Sequence, residues 1–142
     1  MAIQITEDYL TKIPEEKAKL FKDRGLEASQ LRKFYDELKL QEKRAYDFGA
    51  TSDDKFKEKI LPFVKFVKAK VAYSVGRKVS GKALVPDEFK AHMDSQIQQV
   101  NTFNDLKNFL LHYQAIICYF TYYKEKGQGG QGGLGGKKWV KC

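Results

Sequence analysis

Apolar residues recur at helical spacing along almost the whole chain. No stretch of strict alternation is flanked by hairpin turns, so the pattern predicts helices throughout. Residues 6 to 23 are the weakest segment, interrupted by Pro14 and closed by Gly25. From Ala28 or Ser29 to about Asp47 the pattern is strong, with Leu31, Phe34, Tyr35, Leu38 and Ala45 in phase. Gly49 closes that helix, and Thr51-Ser52-Asp53-Asp54 offers N-caps for the next. A long helix is expected from about Asp53 to Arg77, which Pro62 either kinks or restarts, with Gly76 and Gly81 marking its end. Pro86-Asp87 opens a helix to about Val100. Thr102 caps a last one from Phe103 to about Lys126. Phe103, Leu106, Phe109, Leu110, Tyr113, Ile116, Ile117, Phe120 and Tyr123 give that last helix a broad apolar face, as the centre of a bundle requires. The reading is all-α: a compact bundle of about four to five helices over residues 1–126. Residues 127–142, which begin GQGGQGGLGG, are expected to form a flexible Gly-rich basic tail, either a tether for a partner or an unstructured end.

A chain of 142 residues with 42% hydrophobic and 13% aromatic content can bury a core, which excludes general disorder. The N-terminus lacks a basic region followed by an apolar run, and no segment is apolar for long enough to span a membrane. The two cysteines make no disulfide framework. Cys118 reads as a small buried hydrophobe within an apolar helix, and Cys142 is the last residue; a reducing cytoplasm is the expected location.

The net charge of +8 makes a polyanion a natural partner, nucleic acid or an acidic membrane surface. The excess is local. Residues 1–26 and 27–52 are each neutral overall, whereas 53–82 carry nine basic and three acidic side chains. No acid occurs between Lys59 and Lys82. On a helix, Ile60, Phe63, Val64, Val67, Val71 and Val75 form a core stripe. Lys59, Phe66, Lys70, Tyr73 and Arg77 form a second stripe, and Lys65 and Lys68 lie on the other flank. Unpaired cations on one helix repel by a few tenths of a kcal/mol per close pair, so stability alone does not call for them. A phosphate backbone does, through counterion release. Phe66 reads as bundle core, and Tyr73 fits either packing or base stacking. Lys78 joins the candidates on charge. Arg32, Lys39 and Lys43 share a face of the preceding helix, but Asp36 lies in the same row, so a salt-bridged solvent face is the favoured reading.

No catalytic constellation is legible. His92 and His112 stand alone on separate helices, without a Cys or carboxylate at metal-ligand spacing. The glycine stretch follows a helix rather than a strand, so it is no phosphate loop. The expectation is a protein without catalytic residues, metal or cofactor.

Three blocks carry a family likeness: SQLRKFYDELK at 29–39, KVAYSVGR at 70–77 and FNDLKNFLLHYQAIICYFTYY at 103–123. In this order and spacing, over roughly residues 27–124, the chain resembles the small subunit of the type III-A CRISPR interference complex, the Csm assembly. The resemblance implies a helical, non-catalytic, RNA-binding scaffold subunit, present in several self-associating copies beside the other Csm subunits. Such a subunit lines the guide RNA–target RNA duplex and holds target-strand phosphates without reading sequence, a division of labour general to guide-directed effectors. It carries Arg32, Lys70, Tyr73 and Arg77 over as RNA contacts. Lys39, Lys43, Lys65, Lys68 and Lys78 are added from charge. The alternative is a helical protein–protein interaction module whose basic face meets an acidic partner.

Overall fold

The computed structural model describes residues 2–127 and 142. It is mostly helical. In chain order the elements are α1 (Glu7–Leu10), α2 (Lys12–Asp23), α3 (Ala28–Asp47), α4 (Asp53–Lys59), α5 (Leu61–Gly76), β1 (Lys78–Val79), β2 (Lys82–Ala83), α6 (Asp87–Gln98) and α7 (Phe103–Gly127). Most of the expected flexible tail falls on 128–141, outside the described residues.

Two prolines divide helices that the spacing alone would run together. Pro14 has no N–H to offer the Leu10 carbonyl, and the break between α1 and α2 falls at Thr11. Pro62 occupies the first turn of α5, where its missing N–H costs nothing, and Ile60 is the joint between α4 and α5. Pro62 therefore marks a fresh start rather than a kink.

The expectation of helices throughout needs one correction. Lys78–Val79 pairs antiparallel with Lys82–Ala83 across Ser80-Gly81. Both turn residues have positive φ, 57° at Ser80 and 80° at Gly81, as a tight hairpin turn requires. The Ser-Gly pair was the available signal, but strands of two residues leave no alternation to read.

The centre of the bundle is α7, packed against α1, α2 and α3, while α5 lies between α3 and α6. Phe103, Leu106, Phe109, Leu110, Tyr113, Ile116, Ile117 and Phe120 are all buried, as their spacing predicts. The first turn of α7 is an electrostatic knot. Thr102 Oγ1 accepts from the Asp105 backbone N–H at 3.1 Å. The buried Asp105 carboxylate accepts from the backbone N–H groups of Ile3, Asn101 and Thr102 at 3.0, 3.0 and 3.1 Å. Three backbone donors satisfy the carboxylate inside the fold and pin the segment before α1 to α7.

Two further expectations change. His92 and His112 are not isolated: their Nε2 atoms lie 2.9 Å apart in the core. His112 Nδ1 faces the Tyr9 carbonyl at 2.6 Å, so it donates there; His112 Nε2 then accepts from His92 Nε2–H. Burial lowers both pKa values, to about 3 for His92 and about 4 for His112. The pair is neutral and structural at physiological pH. Cys118 is only half-buried, and it is bonded to Cys142. It sits at the rim of the apolar face of α7 rather than beneath it, where the chain end reaches it; the two thiols are not free.

Candidate nucleic-acid interface

The candidate site is the outer seam between α3 and α5. Glu37 meets Lys70, and Arg44 meets Phe63, so the two helices run antiparallel in constant register. Along α5, Ile60, Val64, Val67 and Val71 are buried, but Phe63 is 47% and Phe66 55% exposed. Both were expected inside. The buried arc of α5 is set by α3 on one side and α6 on the other, and it is too narrow to reach either ring. Phe63 and Phe66 therefore join Lys70, Tyr73 and Arg77 on the outer stripe.

The cations of the acid-free segment divide by what the fold gives them. Lys65 Nζ donates to the Ile97 and Gln98 carbonyls at 2.7 and 3.2 Å, where α6 ends. An ammonium there satisfies orphan carbonyls and the negative end of the helix dipole. Burial, reinforced by the charge on Lys68, lowers the Lys65 pKa. Lys68 donates to the Gln98 side chain at 3.4 Å. Lys70 is paired with Glu37 at 2.9 Å and stands over the Phe66 ring. On α3, the three basic residues expected to contact RNA are each ion-paired along their own helix: Arg32 with Asp36 at 3.7 Å, Lys39 with Glu42 at 2.8 Å, and Lys43 with Asp47 at 2.7 Å. Hydrogen bonding to Glu42 raises the Lys39 pKa. Arg77 and Lys78 are exposed and, among the described residues, meet no carboxylate within ion-pair distance.

Two residues that sequence reasoning passed over belong here. Lys33 lines a groove of about 350 Å³ with Glu37, Phe66, Ala69, Lys70 and Tyr73. Tyr73, at 67% exposure, is the most open aromatic ring on the seam. Lys82 reaches from the hairpin to the end of α2, its Nζ only 3.2 Å from where a Cβ on Gly25 would stand. Gly25 has φ 91° and closes α2 with backbone bonds from Gly25 to Lys22 and from Leu26 to Phe21. A Cβ at residue 25 would crowd only the flexible end of the Lys82 side chain, which can shift, so it is the positive φ rather than this contact that calls for glycine.

The result is a surface running from Phe66 through Lys70 and Tyr73 to Arg77 and Lys78, flanked by Lys33. Its cations and exposed rings suit a strand of phosphates, while Glu37 in the groove, paired with Lys70, opposes one. Among the described residues no three His, Cys, Asp or Glu side chains gather to hold a metal ion. No described helix is long and apolar enough to cross a membrane.

No curated protein and no solved structure matches this chain. The family model described as Csm2 Type III-A matches residues 5–126, most of the chain and all of the helical bundle up to the last turn of α7. The match takes in α3, the end of α5 and α7, the three elements that carry the sequence likeness, and the chain belongs to the Csm2 Type III-A family, as a subunit of the type III-A CRISPR complex.

Proposed function

We propose that this subunit is a non-catalytic RNA-binding scaffold that lines the guide RNA–target RNA duplex and holds target-strand phosphates without reading sequence. The observation that carries the reading is the continuous outer stripe Phe66–Lys70–Tyr73–Arg77, extended by Lys78 on the hairpin, in a segment without acids. Arg77 and Lys78 are the leading phosphate contacts, because no ion pair among the described residues must be broken to use them. Lys70, Arg32, Lys39 and Lys43 are secondary contacts. The exposed pairs of Arg32 and Lys43 are worth only about 0–1 kcal/mol each, so a phosphate can displace the carboxylate, whereas Lys70 and Lys39 are held more firmly by the partly buried Glu37 and Glu42. Lys65 and Lys68 are the least available, being held at the end of α6. Tyr73 supplies a stacking face for an unpaired base. One copy reaches few phosphates, so binding by the lone subunit is weak and self-associated copies within the complex multiply it.

Retention of labelled single-stranded RNA on a filter across a salt series tests the reading. Three phosphate contacts on a single strand predict a loss of roughly twentyfold between 50 and 200 mM salt. Salt-independent retention, or none at low salt, contradicts it. The RNA is expected to stay intact with or without divalent metal, and metal-dependent cleavage would overturn the scaffold reading.

A further inference from the structure

At the opposite end of the same seam the surface changes character. Phe48 is 58% exposed, Leu40 50% and Phe63 47%. Between the rings lies Arg44, its guanidinium carbon 4.5 Å from the Phe63 centroid and 5.5 Å from that of Phe48. Arg44 Nη1 donates to Gln41 Oε1 at 2.7 Å, which fixes the plane of the guanidinium. Among the described residues no carboxylate approaches Arg44 within ion-pair distance, although Glu58 and Lys59 line the same groove of about 480 Å³.

We propose that Leu40, Arg44, Phe48 and Phe63 form a docking surface for another protein subunit of the complex, through a segment that brings a carboxylate to Arg44 and aliphatic side chains to the two rings. The proposal goes beyond the RNA-binding reading and concerns different residues. Charge complementarity selects the occupant. An arginine packed against two aromatic rings, with no carboxylate in ion-pair distance among the described residues, is preorganised for a bidentate carboxylate. Exposed phenylalanines beside it give the apolar area that marks a protein contact, and an arginine among aromatics is a typical hot-spot composition. A nucleic-acid strand is the poorer fit: α4 beside the groove is charge-balanced, with Asp53, Asp54 and Glu58 against Lys55, Lys57 and Lys59, so Arg44 lacks the run of unopposed cations that a phosphate strand calls for. Because Arg44 is already oriented, docking leaves little side-chain freedom to lose.

The test is a photo-crosslinker, p-benzoylphenylalanine, in place of Phe63 in the complex assembled with its other subunits and RNA, with the crosslinked peptides identified by mass spectrometry. The expected product joins residue 63 to a segment of a different subunit that contains Asp or Glu. Arg44→Glu should lower incorporation of the subunit into the complex at least tenfold, and Arg44→Gln, which keeps the packing, several-fold. Circular dichroism of both variants should match the parent. Filter binding of RNA by free Arg44→Gln should be unchanged, which separates this surface from the RNA reading. A crosslink to RNA, to a second copy of this chain, to a segment without acids, or to nothing overturns the proposal. Unaltered incorporation of Arg44→Glu overturns it equally.

Discussion

The two ends of the α3–α5 seam are built from the same kinds of residue, cations and aromatic rings, and they are set up for different partners. At the hairpin end, Arg77 and Lys78 project without carboxylates, and Tyr73 stands open. At the Phe48 end, Arg44 is clamped between rings and held by Gln41. The difference lies in where the charge sits relative to the apolar surface. A projecting cation exchanges partners freely and suits a mobile polyanion. A clamped one is specific in geometry and suits a fixed carboxylate. The pair Lys70–Glu37 separates the two regimes. Composition along α5 alone does not distinguish them, because the distinction is made by the residues of α3 that face each end.

The comparison breaks most readily at the hairpin end. Arg77→Glu with Lys78→Glu should weaken single-stranded RNA binding on the order of a hundredfold and reduce the salt slope by about 1.4, two contacts at about 0.7 each. Helicity should not change, since neither side chain is packed. The common platform gives the next effect. His92 and His112 stay neutral in the fold at pH values where an unfolded chain protonates them, with folded pKa values of about 3 and 4 against 6.5. Their depressed values mean that stability is fully present above about pH 6.5 and is lost as pH falls toward 4 and then 3. For His112 the loss is about 3 kcal/mol at most. Urea midpoints measured from pH 7 to 4 should fall accordingly, and His92→Gln with His112→Gln should flatten the trend. The seam carries no histidine, so RNA affinity should be level from pH 6 to 8 while the fold is intact.

Smaller effects sharpen the same contrast. Tyr73→Ala should cost about 1–3 kcal/mol of RNA affinity, and Tyr73→Phe almost nothing, if the ring stacks on a base. Thermal melts of Phe63→Ala should move little, because a half-exposed ring forfeits only part of its burial energy, while its subunit docking should be lost. Smallest of all, Glu37→Gln should change stability by no more than about 1 kcal/mol and raise RNA affinity slightly by releasing Lys70.

Much of this was legible in the sequence, for local reasons. The α7 face, the Thr102 cap and a break near Pro62 follow from periodicity and from what proline and threonine do to a backbone, though whether Pro62 kinks or restarts the helix does not. The concentration of cations on 59–82 is a fact of the sequence. What could not be read is tertiary. Whether Phe63 and Phe66 are covered depends on how far α3 and α6 wrap around α5. Lys65 and Lys68 look like free cations until α6 is seen to end beside them. His92 and His112 are twenty residues apart on different helices, and only packing makes them a pair. Arg44 was hidden in a neutral segment, where summed charge gives no signal.

The most direct measurement is a map of RNA–protein crosslinks on this chain within an assembled, target-bound complex. Ultraviolet crosslinks centred on Tyr73 and on the peptides carrying Arg77 and Lys78, with none on α2 or α6, are the predicted result. Crosslinks confined to α2, α6 or the Phe48–Phe63 end of the seam would contradict the account.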